Sequence, residues 1–355
     1  MKEIDEIIIK AIEGRVFPSA SLLIFRGEEI VYRNFYGRYS YSDNRAVSEE
    51  SLYDVASLTK PLITSLSIAL LVQNREIRFD SELSHFFNEY KKPEKLGITI
   101  RDMLTHRSGL IAHREYFKMV PEERWGERLA RDIILKEALN EPLFNRGKTL
   151  YSDIDFMILG YLIELIASTN LRDFVIDNIL RPLNINNSDF CGNRNYRREE
   201  LMIPVSNEFI GVDDENSRAM GGIAGHSGLF SNVDDIYKLL VEIFHSYNDM
   251  DWRLFKPWTI KSLLTRSNDF QPSMFRGGFD TPLREGSQYG ENHSDETVGH
   301  LGFTGTSFVI DLKAGVGVIL LTNRVCPDRN NFRIKDFRRE FHNKIFNILN
   351  KKREF

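Results

Sequence analysis

Apolar residues at positions 4, 7, 8, 9 and 12, all isoleucine, recur at helical spacing and predict a first amphipathic helix. Ser19 to Tyr36 then reads as a β-hairpin, with strands Leu22-Leu23-Ile24-Phe25 and Ile30-Val31-Tyr32 around the turn Arg26-Gly27-Glu28-Glu29. The longest apolar run, Leu62 to Val72, predicts a buried helix that begins near Ser57 with Pro61 in its first turn. Ile98 to Leu110 predicts a short helix closed by Gly109. Further helices are expected over Val120–Leu139, Phe156–Ile166 and Leu171–Leu183, and from an N-cap at Ser231, with Asp234 at N3, through Phe244. Gly299 to Asp311 and Val316 to Asn323 form a second hairpin, whose glycines imply close approach of another group to the backbone. Residues 266–297 are polar and aperiodic, as a loop or lid over a site would be.

Strands thus stand at both ends of the chain with helices between them. The economical arrangement is an α+β fold, in which an antiparallel sheet from both chain ends is flanked by terminal helices. Residues 1–82 and 288–355 form this α/β part, and residues 83–287 are an inserted, mainly helical subdomain, with the site in the cleft between them. The C-terminal stretch Arg329–Arg353 alternates Phe332, Phe337, Phe341, Ile345 and Phe346 with Lys335, Arg338, Arg339 and Lys344. It reads as an amphipathic helix with a solvated basic face.

Composition narrows the functional classes. The chain of 355 residues is 42% hydrophobic and 28% charged, a globular profile. A net charge of -4 leaves no broad basic face for nucleic acid. Cys191 and Cys326 lie far apart and build no disulfide framework. The acidic start Met1-Lys2-Glu3-Ile4-Asp5-Glu6 has no apolar core, so no secretion signal is expected there, and no run is expected to cross a membrane, since Thr64, Ser65 and Ser67 interrupt the longest one. A cytoplasmic protein is the expectation. Neither His-Glu-x-x-His nor paired-cysteine spacing appears, so no metal and no cofactor are expected.

Candidate chemistry centres on Ser57-Leu58-Thr59-Lys60. Residues three apart share a helix face, so the Ser57 hydroxyl and Lys60 ammonium project together. A serine is activated as a nucleophile by such a neighbour. Serine also caps helices routinely, and the spacing recurs by chance, so the motif needs company. Tyr151, in a loop ahead of an apolar helix, is such a companion, although a tyrosine there is often a tethered core aromatic. His106 and His226 sit in glycine-rich turns and read as structural.

Ser57-Leu58-Thr59-Lys60, Tyr151-Ser152-Asp153 and His300-Leu301-Gly302, in that order, resemble the three motifs of the serine β-lactamase-like, penicillin-recognising superfamily. In its class C β-lactamase and esterase branch these read S-x-x-K, Y-x-N and K-T-G or H-x-G, and the phrases Ile98–Leu110 and Gly225–Ser231 are similar to that branch as well. The resemblance implies Ser57 as acyl-enzyme nucleophile, Lys60 as its proton partner and Tyr151 as general base, with a phenol pKa lowered by Lys60. It also implies an oxyanion site between the backbone N–H groups of Ser57 and Phe303, on a strand kept bare by Gly302.

Two departures from the family pattern set the expected specificity. Asp153 replaces an amide, and His300 replaces the lysine of the lactamase pattern. Both reduce positive charge where β-lactams and D-alanyl peptides present a carboxylate, although Arg324 restores some. A carboxylesterase acting on a small ester is therefore expected. A D-aminopeptidase or DD-peptidase, weak β-lactamase activity, an amide substrate, and a non-catalytic binding module on the same fold are the alternatives.

Overall fold

A computed structural model describes residues 1–192, 198–207, 209–266, 274–282 and 285–351. Helix α1 (Lys2–Glu13) leads into the expected first hairpin, β1 (Ser19–Arg26) and β2 (Glu29–Gly37). The short β3 (Tyr53–Asp54) delivers the chain to Ser57, and α2 (Leu66–Gln73) follows. Then come α3 (Ile100–Leu104), α4 (Arg128–Asn140), α5 (Asp153–Ala167) and α6 (Leu171–Val175). Next are β4 (Asp189–Phe190), α7 (Glu215–Ala219), β5 (Leu229–Ser231), α8 (Val233–Tyr247) and α9 (Pro257–Leu263). The chain closes with β6 (Phe275–Arg276), β7 (Phe279–Asp280), β8 (Thr297–Leu301), β9 (Ser307–Asp311), β10 (Val316–Thr322) and α10 (Ile334–Lys351).

The main sheet is antiparallel, in the order β2-β1-β10-β9-β8-β7-β6. Both faces of its centre are covered, so β1 and β10 read as unbroken apolar runs. Leu23 and Phe25 of β1, with Ile319 and Leu321 of β10, join the core shared with α2, α5 and α8. Their neighbours Leu22, Ile24, Val318 and Leu320 pack with Ile4 and Ile8 of α1 and Phe337, Phe341 and Ile345 of α10. The two ends of the chain therefore build one sheet and its outer helical layer, and the fold class expected from the sequence holds.

Several local expectations are corrected. The segment after Ser57 is no regular helix from its start. Ala56–Leu58 is a tight turn and Lys60–Ser65 a wide one, and regular spacing begins only at Leu66. The Thr59 hydroxyl bonds the Ala56 carbonyl and Pro61 offers no N–H, which loosens the ladder there. The Leu58-to-Gln73 stretch belongs to an 18-residue segment apolar enough to span a bilayer, contrary to the sequence reading, but it is 89% buried inside the molecule as a core element.

Helix α3 ends at Leu104 with Thr105 as its C-cap, not at Gly109, because His106 already takes a left-handed backbone with φ 55°. The N-cap of α8 is Asn232, whose side chain accepts the Asp235 N–H; Ser231 ends β5. Residues 299–311 are not one strand. The turn Gly302–Thr306 divides them into β8 and β9. Part of the expected lid, Phe275–Asp280, is a small hairpin that extends the main sheet, so the sheet takes residues from within the expected 83–287 insertion. The rest of that lid includes residues 267–273 and 283–284, which lie outside the described residues. Cys191 and Cys326 are both free thiols.

Candidate active site

Between positions 51 and 72 every residue is buried except Ser57. Its exposure follows from the turn. Asp54, buried, accepts the Ala56 N–H at 2.8 Å and the Asp213 N–H at 2.7 Å through its two carboxylate oxygens. That clamp holds Ala56 in a left-handed conformation, φ 49°, unusual for a residue with a side chain. The next side chain, Ser57, is thereby turned into a cleft of about 660 Å³, lined also by Tyr151, Asp153, His300, Phe303 and Arg324.

Lys60 is wholly buried, and its ammonium is held by several partners. It donates to Ser57 Oγ at 2.9 Å and to the His226 carbonyl at 3.2 Å, and it pairs with Asp153 Oδ1 at 2.7 Å. Burial works against its charge, yet Asp153 more than offsets that, and the net effect holds Lys60 above the usual lysine range. Asp153, correspondingly, is pulled well below the usual carboxylate range; burial opposes this, and Lys60 and His113 drive it. The Tyr151 ring lies 4.9 Å from Lys60 Nζ, and its hydroxyl interacts with both Ser57 and Lys60.

Tyr151 departs from its expected state. Its pKa is raised, not lowered. Burial acts first in that direction. Lys60 pulls it down, and the Asp153 charge cancels part of that pull.

His300, on β8, donates through Nδ1 to its neighbour Leu301's carbonyl at 3.0 Å, which leaves Nε2 as a bare acceptor without a partner among the described residues. Burial, and then the charge of Lys60, push it down to about 3. The strand beside Ser57 therefore carries a neutral ring.

Phe303 lies on the turn after β8, not on a strand, with its side chain exposed over the cleft. Threonine hydroxyls tie this turn to the turn that carries Ser57. Thr304 Oγ1 donates to the Asp54 carbonyl at 2.7 Å and Thr306 Oγ1 to that of Val55 at 3.0 Å. Gly302 is required by contact rather than by φ, since a Cβ there would sit 2.0 Å from Thr306 Oγ1 and 2.7 Å from Val55 O. Neither Ser57 N–H nor Phe303 N–H is hydrogen-bonded among the described residues.

The structure adds partners that spacing did not reveal. His113 Nδ1 lies 3.3 Å from Asp153 Oδ2. The His226 ring pairs with Asp214 at 2.8 Å, while Gly225 and Gly160 touch backbone to backbone and seat the His226 carbonyl over Lys60. His106 braces the entry to α5: its Nδ1 accepts the Ser152 N–H at 3.1 Å, and its ring lies 4.7 Å from that of Tyr151. Arg324 is stacked between the rings of Phe303 and Phe332 and forms no ion pair among the described residues. A lone histidine or arginine gives no signal for such pairings, because the partners are distant in sequence.

The β-lactamase family model matches residues 4–342. The chain belongs to that family. Members related to it by sequence include a putative D-alanyl-D-alanine carboxypeptidase of Escherichia coli strain K12, 26% identical, with 87% of this chain and 79% of the relative covered. An N-acetylmuramyl-L-alanine amidase of Bacillus subtilis strain 168 is 27% identical, with 91% and 81% covered. Among solved structures, EstCE1, a hydrolase with promiscuous acyltransferase activity, superposes with a TM-score of 0.74 at 16% identity, covering 96% of this chain and 98% of that one. A penicillin-binding-protein homologue of Pyrococcus abyssi gives 0.71 at 20% identity, covering 91% and 73%. The protein is thus a serine hydrolase of the β-lactamase and penicillin-binding-protein superfamily.

Proposed function

We propose that this hydrolase is a carboxylesterase that works through an acyl-enzyme on Ser57. The observation that carries the reading is the buried Lys60 ammonium, 2.9 Å from Ser57 Oγ and 2.7 Å from Asp153 Oδ1. Ser57 Oγ attacks the ester carbonyl as its proton passes to the Tyr151 phenolate. The oxygen that becomes negative lies between the Ser57 and Phe303 N–H groups. Collapse expels the alkoxide, which takes the proton from Tyr151. Water then attacks the acyl group with Tyr151 again as base, and Ser57 recovers its proton. Lys60 stays cationic throughout and stabilises whichever neighbour is an anion.

Esters are favoured over carboxylate-bearing substrates by local charge. Asp153 consumes the charge of Lys60, and His300 is neutral. A second reading, cleavage of peptides or lactams ending in a free carboxylate, is favoured by Arg324, whose guanidinium lines the cleft beside Phe303 without an acidic partner among the described residues.

The test is hydrolysis of p-nitrophenyl acetate and butyrate by wild type and Ser57→Ala, with nitrocefin and a D-Ala-D-Ala peptide in parallel. Ester turnover abolished by Ser57→Ala, with a fluorophosphonate mass shift on Ser57, supports the esterase. Peptide or nitrocefin turnover without ester turnover, lost in Arg324→Gln, establishes the second reading instead. Absence of both turnover and label leaves a binding module.

A further inference from the structure

Arg338 was expected on a solvated basic face, yet it is 3% exposed. It reaches from α10 to the turn that carries Phe303. One guanidinium nitrogen donates to the Gly302 carbonyl at 3.1 Å and the Thr306 carbonyl at 2.6 Å, and the other to Gln288 Oε1 at 3.4 Å. Among the described residues it has no carboxylate partner. An unpaired cation is costly to bury, and a neutral side chain could staple a turn more cheaply. The charge therefore calls for a reason beyond fastening.

The reason lies in the peptide that Arg338 grips. The Gly302 carbonyl and the Phe303 N–H are the two ends of one amide unit. A charge-assisted hydrogen bond to the oxygen draws electron density from the nitrogen end, and hydrogen bonds in such a chain strengthen one another. The Phe303 N–H becomes a stronger donor toward an anion in the cleft. Arg324 holds the other side of the same residue, donating from Nε to the Phe303 carbonyl at 2.7 Å. Two cations thus grip consecutive carbonyls around a single free N–H.

We propose that Arg338 is a positioning residue of the oxyanion site, which orients and polarises the Gly302–Phe303 amide from the outer helical layer. This rests on the Ser57 acyl-enzyme reading above. Arg338→Met should lower kcat for p-nitrophenyl butyrate about 10- to 100-fold while KM moves less than about twofold. An alkylboronic acid, which forms a tetrahedral anionic adduct with a serine hydroxyl, should lose affinity by the same factor, whereas butyrate inhibition should not change. Arg338→Lys, which keeps the charge on a single ammonium but loses the planar guanidinium fork, should recover part of the loss and serves as the readable variant if Arg338→Met does not fold. A folded variant with wild-type kcat and boronate affinity overturns the proposal, as does parallel loss of butyrate and boronate binding. Wild type that neither turns over esters nor labels on Ser57 fails the parent reading and takes this proposal with it.

Discussion

Asp153 is the residue that separates this site from a simple serine–lysine–tyrosine arrangement. It neutralises Lys60 at 2.7 Å and, with burial, keeps the Tyr151 phenol protonated above its ordinary range. If the phenolate is the base, kcat/KM should rise about tenfold per pH unit from neutrality into the alkaline range, because each unit multiplies the phenolate fraction by ten. Asp153→Asn removes the opposing charge, so Lys60 then acts on Tyr151 alone and the phenol pKa falls. The rising limb should move to lower pH, and activity at pH 7 should increase several-fold. Full pH–rate profiles of both proteins check this. An unmoved limb would detach Tyr151 from it. His113, half-exposed beside Asp153 and with its own pKa raised by that hydrogen bond, stands where it feels the same change.

Among the elements, the turn Gly302–Thr306 gives the clearest case of backbone contact dictating sequence. Gly302→Ala would force a methyl to within 2.0 Å of Thr306 Oγ1 and 2.7 Å of Val55 O. The expected cost is about 1–3 kcal/mol of stability, read by urea unfolding. Activity should fall more steeply, by about 100-fold, since displacing the Phe303 N–H by about 1 Å spoils the geometry. Gly302→Ala with Thr306→Ala should regain part of the stability. Much at this scale was legible from the sequence. The hairpin at Ser19–Tyr36, the helix after Tyr151 and the Ser57–Lys60 spacing follow from periodicity and offset alone. The hairpin Phe275–Asp280 was not, because two-residue strands are too short for any period. Arg338 was misread because amphipathic pattern assigns every arginine to solvent, and only the fold shows which one meets a ring of carbonyls. The protonated Tyr151 escaped because its state depends on how Asp153 and Lys60 lie in three dimensions.

Across the whole molecule, buried neutral histidines tie stability to pH. His300 is pushed down to about 3 by burial and Lys60, and His342, in the outer layer, to about 4, chiefly by burial. An unfolded histidine titrates near 6.5, so below that pH the unfolded chain binds protons that the native one refuses. Each histidine contributes stability in full above about 6.5 and loses it as pH falls toward 3–4. Asp54, raised to about 7 by burial, acts in the opposite sense, because its native carboxyl holds a proton that the unfolded chain releases above about 4. The individual contribution is therefore best read as a difference. The stability of wild type relative to His342→Gln should drop by up to about 3 kcal/mol between pH 7 and pH 4 in chemical unfolding. A constant difference would mean that His342 is not neutral when folded.

The threonine ties between residues 304–306 and 54–55 span some 250 positions of sequence. A chain growing from the ribosome exposes Ser57 and Lys60 early, and these two already lie within a few residues of each other. The amide that faces them is synthesised much later, and until it docks a nascent chain holds a serine with no cradle for charge. On the proposed mechanism, competence to acylate therefore waits until these two distant stretches of the chain have docked on one another.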